Sequence, residues 1–452
     1  MKKLLTITLS LLFLFSACVT TIKQPPLDPR ELTDRAAYFL TTITMNEPEL
    51  AWEKLDDTMK EFIPEPFILT AAWAQIVELV GEPLGVASII SIGRTTEIHM
   101  EHENPALLSA TSIYMNAYGE VIGLNFNIIA NPAHAPDFSE AMFTEEPVTV
   151  GAGGAFPLPG LLTMPLGVSS PVPAVVLVHG SGPGDMDQTI NAIKPFRDIA
   201  YFLAENGIAT LRYDKRTFAH GETMAASMED FADFTVFEET IEDAVLAKEL
   251  LMDDPRIDSE RIYVAGLSLG GILAPEIATL GDFAGMIIMA GTMRPLTELM
   301  VEQYIYLLED QPEEVAAPFI AEVTLGHEIF LEALEMEDEE LKSTFIMGAS
   351  VYYFVDLYRR PPAPFIQAWE RPGLILHGDM DYQCRWYIDF VAYKDLTYHM
   401  DNFNAILYPG LTHLFTQSHS TTDMGTNMDY LFPESVSTYV LTDIVNFILG
   451  ID

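Results

Sequence analysis

The sequence predicts a chain whose larger part is an α/β fold with a mostly parallel sheet and a helical insertion, preceded by a small α+β unit. From residue 174 onward, short apolar runs alternate with helical patterns, which is typical of βαβ units. The runs are almost continuously apolar, as expected for strands that are buried on both faces. A Gly-x-Ser-x-Gly sequence, Gly266 to Gly270, lies between one such run and a helical segment.

Length and composition limit the classes of function. The 452 residues exceed a typical single domain, and 49% hydrophobic with 20% charged residues is the composition of a globular protein. The 66 acidic and 23 basic residues give a formal charge of −43. Because this charge repels polyanions, the composition argues against nucleic-acid binding, and we interpret it as an acidic surface that keeps an exported protein soluble.

The first 18 residues have the pattern of a secretory signal. Met1-Lys-Lys is followed by an apolar run from Leu4 to Phe15 that is too short for a spanning helix. The next residues, Ser16-Ala17-Cys18, resemble a bacterial lipoprotein processing site, although Phe15 departs from the usual Leu. This resemblance implies cleavage before Cys18, lipidation of its thiol, and an extracytoplasmic protein whose membrane contact is the lipid anchor alone. A plain secretory signal is the alternative.

Residues 19–30 are expected to form an exposed tether, and residues 31–131 a small α+β domain. Its pattern predicts two helices within 31–60, a third within 66–80, and strands at 86–100, 107–116 and 121–130, the last two forming a hairpin. This pattern resembles the nuclear-transport-factor-2-like fold. A spacer, a dimerisation surface or a wall of the substrate pocket are its possible roles. Residues 132–145 are predicted to be a linker.

Residues 146–452 are predicted to form the second domain. Two opening antiparallel strands precede the alternating strands and helices, and a helical segment at about 293–367 interrupts this alternation. Near its middle, Ser268 lies on the predicted strand-to-helix turn. The flanking glycines let the backbone bend sharply, so that the serine hydroxyl is presented at the end of the strand.

Acid and histidine candidates follow the serine in sequence. Asp379 and Asp381 come after one predicted strand, and His413 comes after the last strand and before the last helix. A serine hydroxyl is a poor nucleophile unless an imidazole accepts its proton and a carboxylate orients that imidazole. Among the other histidines, His419 is expected on a mobile loop and His399 at a helix end. The order Ser268, Asp, His413 is that of one class of serine hydrolases.

Four segments together resemble the bacterial α/β-hydrolases related to dienelactone hydrolases, acyl-thioester hydrolases and prolyl-oligopeptidase-like proteins. They are His179-Gly-Ser-Gly-Pro-Gly-Asp-Met-Asp187, Tyr213-Asp-Lys-Arg216, Gly266-Leu-Ser-Leu-Gly-Gly271, and Asp381 with His413. The resemblance covers about residues 145–452. It implies an α/β-hydrolase fold in which the insertion at 293–367 is a lid over the active site.

The resemblance also implies roles for single residues. Asp381 matches the acid of the pattern His-Gly-x-x-Asp, with Cys384 in place of a usual Val, and Asp379 is then a turn residue. The oxyanion hole is expected to use the backbone N–H of Leu269 and that of Ser181, with Gly182 as second choice. Lys215 or Arg216 could bind a substrate carboxylate, but an internal salt bridge with Asp214 or another acid is the alternative that we favour.

The predicted function is hydrolysis of carboxylic esters by Ser268, His413 and Asp381 through an acyl-enzyme intermediate. The substrate is expected to be a small-molecule ester or acyl compound, and no metal or cofactor is implied. A serine peptidase or amidase, an acyl-thioesterase, and a catalytically inactive binding lipoprotein are the alternatives. Residues 19–145 are too few for the β-propeller that gates many prolyl-oligopeptidase-like peptidases.

Overall fold

The structure is a computed structural model, and the residues that it describes are 27–105, 107–130, 142–168, 171–191, 193–225, 233–309, 311–420, 422–432 and 434–451. The predicted signal with Cys18 lies outside these residues, as do most of the predicted tether and most of the predicted linker. The chain divides near residue 136 into two compact units. Among the described residues, none of the helices has the length and apolarity to cross a bilayer.

The first unit contains four helices followed by a four-stranded sheet. Asp28 caps the first helix by accepting the Arg30 N–H, and Glu31 bonds back to the Asp28 N–H. One side of the sheet packs against the helices through buried apolar side chains such as Ile98 and Ile113. The helices are α1 Pro29–Thr44, α2 Pro48–Trp52, α3 Asp57–Phe62 and α4 Phe67–Val80.

The sheet of the first unit is antiparallel, in the order β1-β2-β3-β4. The single strand predicted at 86–100 is wrong, because this segment contains a hairpin whose turn is Gly93-Arg94. Gly93 has a φ of 63°, a conformation that glycine adopts without a steric cost, and the chain reverses there. The strands are β1 Pro83–Ile92, β2 Thr95–His102, β3 Leu107–Met115 and β4 Val121–Ala130.

The second unit contains an eight-stranded sheet in the order β14-β13-β10-β9-β7-β8-β6-β5. The first two strands form an antiparallel hairpin and the other six are parallel. The strand β5 begins three residues earlier than predicted, within the expected linker. The strands are β5 Phe143–Val150, β6 Leu158–Pro165, β7 Val172–Val178, β8 Ala209–Tyr213, β9 Ile257–Leu267, β10 Gly285–Met289, β13 Gly373–Gly378 and β14 Phe403–Tyr408.

Helices connect the parallel strands. A π-helical segment, Phe237–Ile241, directly precedes α8. These helices are α5 Pro195–Glu205, α6 Arg216–Ala219, α7 Gly221–Ala225, α8 Glu242–Met252, α9 Leu269–Leu280, α15 Asp389–Thr397 and α16 Thr438–Leu449. The mostly parallel sheet with its connecting helices confirms the predicted fold class.

The segment between β10 and β13 is mainly helical, as predicted, and we call residues 293–368 the cap. It also contains a short ribbon that the sequence did not predict, formed by β11 Phe345–Ile346 and β12 Ala349–Ser350. Several aromatic side chains of the cap, including Phe330 and Phe354, form a small core within the cap itself. Its helices are α10 Leu296–Leu308, α11 Glu313–Ala333, α12 Asp338–Leu341, α13 Val351–Tyr358 and α14 Pro362–Ala368.

The central strands of the second unit are buried on both faces, which explains their continuous apolar runs. All residues of β7, β10 and β13 are buried. The loops that follow β7, β9, β13 and β14 leave the sheet at its carboxyl edge, because these strands are parallel. Side chains on those loops therefore come together at one edge, which is where open α/β sheets bind ligands.

Candidate active site

Ser268 forms the sharp turn between β9 and α9. Its backbone has φ 57° and ψ −115°, an unfavourable conformation for a residue with a side chain. The turn is so tight that a Cβ on Gly266 would overlap the Gly270 carbonyl group, and a Cβ on Gly270 would overlap the Val178 carbonyl oxygen. The Ser268 N–H donates to Met289 O at 2.8 Å, which joins the turn to β10. The half-buried serine is thus held at the carboxyl edge of the sheet.

Asp381 and His413 are paired. The Nδ1–H of His413 donates to Oδ2 of Asp381 at 2.7 Å, and both side chains are buried. The other carboxylate oxygen, Oδ1, accepts the N–H groups of Gln383 and Cys384 at 2.8 and 2.9 Å. Since a carboxylate can only accept, the proton must be on Nδ1, and the Nε2 lone pair of His413 is free to take a proton.

His377 is a further buried neighbour of this pair that the sequence did not identify. Its Nε2 lies 3.3 Å from Asp381 Oδ2 and donates to Cys384 O at 2.7 Å. Burial lowers the pKa of His377, partly opposed by the charge of Asp381, so the ring favours the neutral form with one N–H to donate. That hydrogen bond helps to hold the loop on which the carboxylate lies.

Ligand atoms of Asp381, Cys384 and His413 lie within 4.8 Å of one another, as in a metal site. The hydrogen bonding of these residues does not fit a metal. Burial raises the pKa of the Cys384 thiol well above its ordinary value. The Nδ1 of His413 already donates to Asp381. The group therefore fits a hydrogen-bonded carboxylate and imidazole better than a cation.

As the sequence predicted, the three candidate residues come after parallel strands and lie at the same edge of the sheet. Ser268 follows β9, Asp381 follows β13 and His413 follows β14. Only the last two are hydrogen-bonded to each other. The Ser268 hydroxyl has no hydrogen-bond partner among the described residues. Because hydrogen bonds of catalytic groups are often long without substrate and tighten in the complex, the lack of this bond does not exclude Ser268 and His413 as partners.

The loop after β7, residues 179–188, lies beside Ser268, because a Cβ placed on Gly180 would be 3.4 Å from Ser268 Cβ. The Gly180 N–H is occupied, because it donates to Gln188 Oε1 at 3.2 Å. The N–H of Ser181 has no acceptor among the described residues, and that of Leu269 lies in the first turn of α9, where a helix offers no acceptor. Both predicted oxyanion donors are thus available.

His179 holds this loop. Its Nε2 donates to Asp185 O at 3.0 Å, and its ring packs against Phe196 and Tyr213. Burial, and after it the charge of Lys215, lower the pKa of His179 from 6.5 to about 3. His179 is therefore neutral at physiological pH and serves as a donor within the loop.

The other candidates of the sequence analysis lie apart from the paired groups or have structural partners. Asp379 Oδ1 accepts the Gly410 N–H at 2.6 Å, which is a turn contact. His419 bonds to Glu434 at 2.8 Å near the surface, and the ring of His399 contacts that of Tyr398.

Lys215 and Arg216 are both buried in internal salt bridges. Arg216 pairs with Asp243 and Glu242, and Lys215 Nζ lies 3.2 Å from Glu239 Oε2. Asp214 is therefore not the salt-bridge partner of either residue, and its carboxylate accepts the Met186 N–H instead.

The cap contacts the loop that carries the acid. The ring of Tyr306 on α10 stacks on that of Tyr382, and Gln303 Nε2 donates to Gln383 O at 3.1 Å. A cavity of about 460 Å³ lies between the cap and α9, bounded among others by Ile272, one turn after Ser268, and by Met293. Ser268, Asp381 and His413 do not line this cavity, so the contacts with Tyr382 and Gln383 are what place the cap beside the candidate site.

Comparison with known proteins identifies the family. The model of the Alpha/beta hydrolase family matches residues 175–422, more than half of the chain. The chain belongs to the alpha/beta hydrolase family. The predicted resemblance to α/β-hydrolases is therefore confirmed, and the matched range contains Ser268, Asp381 and His413.

Relatives of this alpha/beta hydrolase include Esterase EstD of Thermotoga maritima, which is 35% identical over 339 residues, 75% of this chain and 76% of EstD. Est1E from Butyrivibrio proteoclasticus is a structural neighbour with a TM-score of 0.43 and 18% identity, covering 67% of this chain and 98% of Est1E. A hyperthermophilic esterase from Pyrobaculum calidifontis has a TM-score of 0.43 and 17% identity, covering 71% of this chain and 88% of that protein.

Proposed function

We propose that the protein is a serine esterase that cleaves small-molecule carboxylic esters with Ser268, His413 and Asp381. Membership of the alpha/beta hydrolase family and the 35% identity to Esterase EstD support an ester hydrolase. The observation that carries the mechanism is the buried hydrogen bond of 2.7 Å from His413 Nδ1 to Asp381, because it leaves Nε2 as a base at the edge where Ser268 lies.

The reaction follows from these groups. Ser268 Oγ attacks the ester carbonyl carbon while His413 Nε2 accepts the hydroxyl proton, and Asp381 stabilises the imidazolium. The negative charge on the carbonyl oxygen is bound by the N–H groups of Leu269 and Ser181. The imidazolium then protonates the leaving alcohol, which forms an acyl-enzyme. A water molecule then gives a proton to His413 and attacks the acyl carbon. The bond between the acyl carbon and Ser268 Oγ breaks as the imidazolium returns that proton to Oγ, and the carboxylic acid leaves.

A fluorophosphonate probe and a substrate panel test this function. Wild-type protein is expected to be labelled and to hydrolyse p-nitrophenyl esters, and Ser268→Ala is expected to lose both properties. His399→Ala is the matched control and should keep both, because His399 is exposed and lies between α15 and β14, at the amino end of a parallel strand, whereas Ser268 lies at the carboxyl edge. Unlabelled, inactive wild-type protein would indicate a binding protein. Activity on aminoacyl-p-nitroanilides or acyl thioesters alone would overturn the ester assignment.

We also propose that the protein is exported and anchored to a bacterial membrane through lipidated Cys18. The support is the basic start, the apolar run and Ser16-Ala17-Cys18 in the sequence. Partition between Triton X-114 and water tests it. The full chain expressed in a bacterium should enter the detergent phase, and Cys18→Ser should enter the water phase. Wild-type protein in the water phase would contradict the anchor.

For the first unit we propose a fold of the nuclear-transport-factor-2-like type. Four helices followed by a four-stranded antiparallel sheet with one helix-covered side support this assignment. An experimental structure of the full chain tests it. A sheet that curves around the helices into a cone is expected, and a flat sheet would contradict the proposal.

A further inference from the structure

Lys215, two residues after β8, binds two carbonyl groups of the loop 179–188. Its Nζ donates to Gly180 O at 2.9 Å, and its backbone N–H donates to Gly184 O at 3.0 Å. The side chain is 2% exposed. A buried ammonium group that binds a main-chain carbonyl on the loop beside the nucleophile needs an explanation beyond packing, because burying a lysine costs free energy.

The geometry of the peptide bond supplies the explanation. Gly180 C=O and Ser181 N–H belong to one peptide group, and in a trans peptide these two bonds point in opposite directions. Fixing the carbonyl on Lys215 therefore fixes the direction of the Ser181 N–H. The preceding peptide is fixed as well, since the Gly180 N–H donates to Gln188. This peptide lies next to Ser268, because a Cβ on Gly180 would be 3.4 Å from Ser268 Cβ.

We propose that Lys215 is a positioning residue of the oxyanion hole, which turns the Ser181 N–H toward the oxygen that becomes negative during ester cleavage. The inference rests on the function proposed above. Lys215 does not touch the substrate and acts through the Gly180–Ser181 peptide. Its positive charge also polarises that peptide, which makes the N–H a stronger donor.

A second set of contacts keeps Lys215 in place. Glu239, which is 5% exposed, lies 3.2 Å from the ammonium group and accepts hydrogen bonds from Thr217 Oγ1 at 2.8 Å and from Tyr353 OH at 2.5 Å. Glu239 belongs to the π-helical segment, a type of irregularity that is frequent at functional sites. Burial and the charge of Glu239 raise the pKa of Tyr353 well above its ordinary value, so its hydroxyl remains a donor.

Tyr353 lies on α13 of the cap, so the chain of contacts runs from the cap through Glu239 and Lys215 to the donor loop. The orientation of the oxyanion donor is thereby tied to the packing of α13. This gives a role to Lys215 of the Tyr213-Asp-Lys-Arg216 segment, to which the reaction itself assigns none.

Two variants that both lack the carboxylate test the proposal. The single variant Glu239→Gln keeps the Lys215 amine that binds Gly180 O. The double variant Lys215→Met/Glu239→Gln lacks this amine. Because both variants carry glutamine at position 239, neither leaves a buried carboxylate without its partner. Relative to Glu239→Gln, the double variant should show kcat on p-nitrophenyl esters lowered about 10- to 100-fold, since losing an oxyanion donor outright lowers kcat by about 10²–10³. The KM values should agree within about twofold, because the hole acts on the transition state.

Lys248→Met is the matched control. Lys248 is also buried and donates to two main-chain carbonyls, Gly281 O at 2.6 Å and Asp282 O at 2.8 Å. These lie just past the far end of α9, which at 1.5 Å per residue is about 18 Å from Ser268. Its kcat should equal that of the wild type. This comparison separates the role at the oxyanion hole from the general loss of a buried lysine.

The outcomes are distinct. Equal kcat in Glu239→Gln and the double variant overturns the proposal, and so does a change confined to KM. If the double variant is unfolded by circular dichroism, Lys215→Gln/Glu239→Gln replaces it, because glutamine is one bond shorter and does not reach the Gly180 carbonyl. A wild-type protein without esterase activity or fluorophosphonate labelling refutes the proposed function instead, which distinguishes the two failures.

Discussion

Replacing Asp381 by asparagine isolates the role of one carboxylate oxygen. The amide oxygen can still accept the Gln383 and Cys384 N–H groups, so the loop keeps two hydrogen bonds. The amide nitrogen, however, then faces His413 Nδ1, which now lies 2.7 Å from Oδ2. Two donors cannot bond, so the imidazole must place its proton on Nε2 and can no longer accept the Ser268 proton.

We expect Asp381→Asn to lower kcat about 10⁴-fold, because the analogous change in another serine hydrolase has this effect. At 1.36 kcal/mol per factor of ten, the barrier rises by about 5.4 kcal/mol. KM should change little, and the far-UV circular dichroism spectrum should be unchanged. Initial rates of p-nitrophenyl acetate and butyrate hydrolysis measure kcat and KM.

Asp379→Asn is the control for this experiment, since its amide oxygen can keep the hydrogen bond from Gly410. Its kcat should remain close to that of the wild type. If Asp381→Asn kept kcat within a factor of about ten, which is 1.36 kcal/mol, the assigned tautomer would be wrong. An equal loss in Asp379→Asn would show that both carboxylates are needed.

Two further changes test the scaffold. The pKa of His179 is lowered from 6.5 to about 3, so the unfolded chain binds more protons and the free energy of unfolding should fall as pH drops from about 6.5 toward 3. In urea titrations at several pH values, His179→Gln should reduce the slope of the free energy of unfolding against pH by at most about 1.36 kcal/mol per pH unit. A slope equal to that of the wild type would contradict the assigned pKa shift. Gly270→Ala, whose methyl would overlap Val178 O, should cost more than about 3 kcal/mol of stability, and a thermal unfolding midpoint equal to that of the wild type would refute the tight turn.

The parts of the site that the sequence predicted are those with a local pattern. Strands buried on both faces appear as apolar runs, and residues that follow such runs collect at one edge of a parallel sheet. From these two patterns the sequence alone predicts that Ser268, Asp381 and His413 lie at the carboxyl edge of the sheet. Their catalytic roles stay predictions until the variants are measured.

The features that the sequence did not predict depend on interactions or turns that leave no recognisable pattern of residue types. Lys215 binds a main-chain carbonyl, a group that every residue carries, so its partner could not be inferred from residue types. The β1–β2 hairpin was predicted as one strand because its turn at Gly93 is short and the flanking residues are apolar or β-branched on both sides. Exposed isoleucines on β1, such as Ile90 and Ile92, hide the alternation that marks a half-buried strand.

The conformation of Ser268 places stability and catalysis in opposition at a single residue. A backbone with φ 57° and ψ −115° costs about 1–3 kcal/mol for a residue with a side chain, and the cost persists only where the surroundings enforce it. Glycine would relieve this strain but has no hydroxyl. A more stable turn at this position would therefore come at the expense of the hydroxyl that we propose as the nucleophile.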